Sequence, residues 1–114
     1  MRALRGLAFA LCGVGGLLLD GAAQAAELPT FRLECNNGVF TPKVLHVPAG
    51  VKFKIEIHNT GTQAIEFESV QLRKEKALAS GGSSFVVIFP LDAGEYKFFD
   101  DFHLGVGEGS IVVK

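Results

Sequence analysis

The sequence predicts an all-β fold, a single Greek-key sandwich of seven to eight short strands. Residues 51–58 alternate apolar and charged side chains, beginning with Val51 and Lys52, which is the period of a half-buried strand. From Glu27 onward, turn signals containing Gly or Pro recur about every 8 to 12 residues, the spacing of a β-sandwich. This part of the sequence also lacks the 3.6-residue apolar stripe of an amphipathic helix.

The first 25 residues are predicted to be a secretory signal peptide. Residues 1–5 carry two arginines, residues 6–19 form an apolar run, and Ala23-Gln24-Ala25 is a small-x-small cleavage signal. The apolar run is shorter than the about 20 residues that span a bilayer. We therefore expect residues 1–25 to be removed and residues 26–114 to form one exported, periplasmic domain without direct membrane insertion.

The charge balance indicates which partners are not expected, and the cysteine content shows whether a disulfide can form. Residues 26–114 hold nine basic and eleven acidic side chains, a balance that does not favour nucleic acid or an anionic membrane. They hold one cysteine, Cys35, so no intramolecular disulfide can form. Cys35 lies on the apolar side of the alternating segment 31–35, which predicts a buried structural thiol. A metal or redox role is the alternative.

The other strands are predicted from short apolar or alternating runs between turn residues. Residues 71–76 are mostly charged and are expected to form a mobile connection. The predicted strands besides 31–35 and 51–58 cover residues 44–47, 64–70, 85–89, 95–99 and 110–114.

Acidic residues and one histidine are the candidate metal ligands. Four of them share the loop between the last two predicted strands, and a short loop gathers several donors at a small entropic cost. Two more project from one face of the segment 64–70, about 7 Å apart. Oxygen donors with one imidazole suit a hard cation. The candidates are Asp100, Asp101, His103 and Glu108 in the loop and Glu66 and Glu68 on the strand.

Each acidic candidate has a structural alternative. Glu66 and Glu68 also fit two solvated carboxylates on an outward strand face, because glutamate is rarely buried without a partner. Asp101 and Glu108 also fit turn residues. Outside this set, the sequence offers Glu75, His46 and His58 as surface residues or as ligands of a peripheral ion.

The order of motifs resembles that of a cupredoxin. Residues 40–53 read Phe-x-Pro-x-x-Leu-x-Val-x-x-Gly-x-x-Phe, similar to the first block of that fold, and residues 94–100 are similar to the approach to its copper cysteine. The resemblance implies a cupredoxin-like sandwich over residues 31–114. The positions that match the four copper ligands are Glu66, Asp100, His103 and Glu108.

The residues at these four positions differ from the copper ligands of a cupredoxin, and the difference changes which metal we expect. A blue-copper site needs a thiolate and two imidazoles, usually with a weak thioether, whereas three of the four matching positions here are carboxylates. A blue-copper electron carrier is therefore not expected. Carboxylates with one imidazole favour iron, and iron(III) over iron(II) because the higher charge gains more from anionic ligands; copper(II) would also bind.

The pieces Glu66-Phe-Glu68-Ser and Phe99-Asp-Asp-Phe-His103 resemble the cupredoxin-like periplasmic proteins that accompany bacterial high-affinity iron permeases. The resemblance implies iron uptake: binding or oxidising iron(II), with copper as a companion metal, beside an iron permease and a companion periplasmic iron- or copper-binding protein. Two alternatives stay open. One is a copper(II)-binding protein or chaperone without ferroxidase activity, and the other is a metal-free accessory subunit of the transport complex.

Overall fold

The computed structural model describes residues 27–114, and the predicted signal peptide, residues 1–25, lies outside them. The described chain folds into nine strands and confirms the all-β prediction. The strands are β1 (Thr30–Asn36), β2 (Val39–Thr41), β3 (Val44–Val47), β4 (Phe53–Asn59), β5 (Ile65–Ser69), β6 (Lys74–Leu78), β7 (Ser83–Ile88), β8 (Gly94–Asp100) and β9 (Glu108–Val113).

The strands form two sheets that pack face to face. The four-stranded sheet has the order β2-β1-β4-β7 and the five-stranded sheet the order β3-β9-β8-β5-β6. Most neighbours are antiparallel, but β1 pairs with β4 and β3 pairs with β9 in parallel. These non-consecutive pairings give both β1 and β9 a neighbouring strand on each side. In residues 27–114 there is no helix long and apolar enough to cross a membrane.

The expectation of a mobile connection at residues 71–76 is wrong for residues 74–76, whereas residues 71–73 do form the turn before the next strand. Residues from Lys74 onward form β6, which pairs with β5 from Ser69↔Lys74 to Ile65↔Leu78. The segment lacks an apolar alternation because β6 is the last strand of its sheet, and charged side chains are typical of such an edge. This strand and the short β2 raise the count to nine.

The core lies between the inner faces of the two sheets and is centred on aromatic side chains. Phe98 packs edge to face against Phe40, with ring centroids 4.9 Å apart, and lies 5.3 Å from Phe67. Phe53, Phe67 and Phe98 are fully buried. Gly109 lies beside Phe98 on the neighbouring strand β9, so close that a Cβ atom at Gly109 would overlap the ring. The five-stranded sheet is therefore rigidly packed where β8 and β9 meet.

Candidate metal site

Glu66 and Glu68 lie on the outer face of β5. The strand alternates strictly, with Ile65, Phe67 and Ser69 buried and the two glutamates between them half-buried. At the end of the neighbouring β8 the chain leaves the sheet, and the Asp101 amide donates a hydrogen bond of 2.8 Å to the Glu66 carbonyl. This bond brings a third acidic residue to the glutamates.

The three carboxylates form one cluster. Oxygen atoms of Glu66, Glu68 and Asp101 lie within 4.8 Å of one another, close enough to share one ion. All three donors are anionic oxygens, the ligands that hard cations prefer. The cluster can therefore accept a hard cation without moving the strands.

Loss of water contact, followed by repulsion between neighbouring carboxylates, raises the pKa of both glutamates above the ordinary value of 4.5. Loss of water contact is the largest cause for Glu66, followed by its hydrogen bond with Asp101 and by the nearby charges of Glu75, Asp101 and Glu68. For Glu68 the causes are loss of water contact and then the charges of Asp101 and Glu75. Within residues 27–114 no lysine or arginine makes an ion pair with the cluster. A bound cation would relieve this repulsion, and protons compete with it.

Asp100, by contrast, points inward and is fully buried. Its Oδ1 accepts the backbone N–H groups of Glu66 (2.9 Å) and Phe102 (3.0 Å). Its Oδ2 accepts Nδ1–H of His103 (2.7 Å) and the more distant thiol of Cys35 (3.8 Å). Asp100 is thus the centre of an inner network on the side of the sheet opposite the carboxylate cluster.

His103 belongs to this inner network. Its Nδ1 faces Asp100, and its Nε2 lies 2.6 Å from the side-chain amide oxygen of Gln63. The His103 backbone N–H also donates to the Asp100 carbonyl at 3.0 Å. Both ring nitrogens therefore have partners, and Gln63 covers the nitrogen on the more exposed side.

Cys35 is buried as predicted. Burial raises the pKa of the Cys35 thiol to about 11, with a smaller contribution from the Asp100 charge and an opposing one from a backbone hydrogen bond with Gly38. The thiol is therefore a proton donor and not a thiolate. A blue-copper centre needs a thiolate and two imidazoles, so the inner network, with one thiol and one imidazole, does not fit that centre.

The structure thus separates the six predicted ligands. Glu66, Glu68 and Asp101 come together on the outer face, whereas Asp100 and His103 come together inside. Glu108 begins β9 opposite Phe99, is exposed, and belongs to neither group. Of the peripheral residues, Glu75 lies opposite Glu68, and His46 is exposed.

His58 lies in a separate hydrogen-bonded network on the four-stranded sheet. Its partners there are Glu56, Ser83 and Arg32. The sequence does not point to Gln63 as a residue at the site end of the sandwich. The Asn-Thr-Gly-Thr-Gln run that ends in Gln63 reads as a turn, and only the fold brings Gln63 to a histidine 40 residues away.

Comparisons with known proteins agree with this architecture. A family model described as "Cupredoxin-like domain" matches residues 8–113. An uncharacterized protein of Rickettsia prowazekii (strain Madrid E) is 36% identical over 74 residues, which cover 65% of this chain and 59% of that protein. The match therefore spans less than two thirds of the relative's length.

Solved structures share the fold at low sequence identity. The metal-binding domain of the Cu(I)-exporting P-type ATPase of Streptococcus pneumoniae D39 has a TM-score of 0.66 at 15% identity, covering 75% of this chain and 84% of that domain. Auracyanin of Roseiflexus castenholzii has a TM-score of 0.64 at 17% identity, covering 75% and 96%. A copper-binding protein studied in its apo form has a TM-score of 0.62 at 20% identity, covering 75% and 86%.

Proposed function

Because this chain belongs to the cupredoxin-like domain family, we propose that it is an exported protein that uses the family's sandwich to hold a hard cation, with iron as the physiological ion. The observation that carries the proposal is the cluster of Glu66, Glu68 and Asp101, whose oxygens lie within 4.8 Å of one another. An anionic all-oxygen donor set favours iron(III) over softer ions.

The site holds iron on the outer face of the five-stranded sheet. Glu66 and Glu68 come from β5, and Asp101 closes the cluster from the turn after β8. The sequence also predicts Asp100, His103 and Glu108 as ligands, but their side chains lie outside this cluster. Oxidation of iron(II) is a separate step that needs dioxygen or another electron acceptor.

A copper(II)-binding role is the second candidate. The solved structures with this fold include a copper-binding protein and a domain holding Cu(I). Copper(II) is also high in the affinity order of the divalent ions and accepts carboxylate and imidazole donors. The two candidates use overlapping residues, so the ion that survives competition decides between them.

The test is a calorimetric titration of residues 26–114 with iron(II) under argon and, separately, with copper(II). We expect iron(II) to bind at micromolar strength or tighter, and Glu66→Gln and Glu68→Gln each to weaken binding by about 10-fold or more, because each removes an anionic ligand. Admitting oxygen to the iron-loaded protein then shows whether iron(II) is consumed faster than in buffer.

Two matched variants serve as controls for this titration. Glu95→Gln removes an exposed acid that pairs with Lys97 and should leave the affinity unchanged. Glu108→Gln tests the ligand role that the family resemblance implies for Glu108, which lies outside the carboxylate cluster. The substitution weakens binding only if Glu108 is a ligand. If the wild-type protein binds neither metal, the metal-free accessory role replaces both candidates.

We propose a periplasmic iron permease complex, with its companion metal-binding protein, as the partner. An exposed apolar loop directly follows Asp101, and its side chains Phe102, Leu104 and Val106 are 53%, 69% and 54% exposed. Apolar side chains beside an ion site suit a surface that must exclude water when the ion is passed on. The loop therefore supports a handover partner at this edge of the molecule.

Leu104→Asp is expected to lower iron uptake by the producing cells several-fold while the purified protein keeps its affinity for iron(II). The charge disrupts an apolar contact but lies outside the carboxylate cluster. Phe89→Asp is the control, because Phe89 is 65% exposed but adjoins Lys52, on the four-stranded-sheet side. Equal uptake by the Leu104→Asp and wild-type strains would contradict this docking surface.

A further inference from the structure

We propose that Asp100 is a positioning residue that holds the chain around the ion site, and that it acts as a carboxylate acceptor and not as a metal ligand. The inference rests on the proposed function, because the site that it positions is the cluster of Glu66, Glu68 and Asp101. It differs from the role that the family resemblance implies for Asp100.

The acceptor capacity of Asp100 is already used within the protein. A carboxylate has about four lone-pair positions, and four donors approach this one: two backbone N–H groups, one imidazole N–H and one thiol. The side chain is 0% exposed. A metal ion at Asp100 would have to displace these buried donors and leave them without an acceptor, which is unfavourable because they have no water to bond instead.

The two bonds at Oδ1 fix the segments that carry the ligands. One comes from the N–H of Glu66, itself a ligand of the proposed ion, and the other from the N–H of Phe102, the residue after Asp101. Hydrogen bonds to a charged acceptor are about twice as strong as neutral ones. Asp100 therefore holds Glu66 and Asp101 in one arrangement from the opposite side of the sheet.

The backbone pairing at this point is too short to do this alone. The registered pairs between β5 and β8 are Phe67↔Asp100 and Glu68↔Phe99. Beyond them, the Asp101 N–H bonds to the Glu66 carbonyl, and the Asp100 side chain adds the next links. The carboxylate thus extends the ladder past its last residue pair, at the point where the outer cluster forms.

The test compares Asp100→Asn with Asp100→Ala in the iron(II) titration under argon. Asparagine keeps Oδ1 as an acceptor for both backbone N–H groups, and its amide can donate to His103 Nδ1 in the other imidazole tautomer. We expect Asp100→Asn to bind iron(II) within about 3-fold of wild type and Asp100→Ala to lose about 10- to 100-fold, the usual effect of losing a residue that orients a ligand.

Hydrogen exchange of the Glu66 and Phe102 amides gives a second readout. We expect both amides to stay protected in Asp100→Asn and to lose protection in Asp100→Ala. If Asp100→Ala does not fold, Asp100→Asn alone decides the proposal. A loss of 10-fold or more in Asp100→Asn, with both amides still protected, would mean that Asp100 is a ligand and would overturn the inference.

The two proposals fail in different ways. If the wild-type protein binds no iron(II), the proposed function fails, and the positioning role fails with it. If the wild-type protein binds iron(II) and Asp100→Ala binds equally well, the proposed function stands and only the positioning role is overturned.

Discussion

Asn59→Asp is expected to lower the free energy of unfolding at pH 7 by about 3 kcal/mol or more. The Asn59 side chain is 2% exposed, and its amide nitrogen donates toward three backbone carbonyls, those of Gln63 (2.9 Å), Leu78 (3.2 Å) and Ala79 (3.0 Å). Its Oδ1 accepts the N–H of Gly61 at 3.0 Å. An aspartate would place a carboxyl oxygen against these three carbonyl oxygens. The carboxylate would be repelled by them, and protonating it at pH 7 would cost free energy of folding.

Urea unfolding followed by circular dichroism measures this effect. Asn36→Asp is the matched control, because Asn36 is exposed at the end of β1 and the same change there should stay within about 0.5 kcal/mol of wild type. An Asn59→Asp protein as stable as the Asn36→Asp protein would show that Asn59 does not tie the end of β4 to the β5 and β6 segments.

Gly109→Ala is the second substitution expected to have a large effect, a loss of about 3 kcal/mol, at the upper end for overpacking a core. The added Cβ would overlap the ring of Phe98 and would lie 2.9 Å from the Lys43 carbonyl oxygen. Phe98 cannot turn away, because Phe40 and Phe67 pack against it. Thermal unfolding should show a midpoint lower by about 4–8 °C for each kcal/mol lost.

A double-mutant comparison shows whether crowding against the Phe98 ring causes the loss of stability in Gly109→Ala. Phe98→Leu removes the ring that the new methyl group meets, so Gly109→Ala should cost less in a Phe98→Leu background than in wild type. Equal costs in the two backgrounds would show that the Phe98 ring is not the source of the strain, and that the Lys43 carbonyl is.

The sequence predicts most of the strands because apolar and polar side chains alternate along them. The segment 51–58 shows which side chains face the core, and the same rule correctly places Cys35 and Asp100 inside and Glu66 and Glu68 outside. Strand β6 escapes this rule, since it is a charged edge strand whose pairing with β5 depends on its neighbour and not on its own apolar pattern.

The candidate site was harder to predict because two arguments from the sequence disagree. The resemblance to cupredoxins groups Glu66 with Asp100 and His103, whereas the strand alternation places Glu66 and Asp100 on opposite faces. The structure follows the alternation. The register between β5 and β8 brings Asp101 to the two glutamates. No local pattern in the sequence predicts that register.

The buried thiol of Cys35 is unreactive toward oxidants and disulfides. With a pKa of about 11, only about one thiol in ten thousand is ionised at pH 7. Disulfide exchange and oxidation both begin from the thiolate and need access to the sulfur. Although Cys35 has no partner cysteine in residues 26–114, it is thus protected from forming mixed disulfides, and two molecules of this protein will not cross-link through it even in the presence of oxidants.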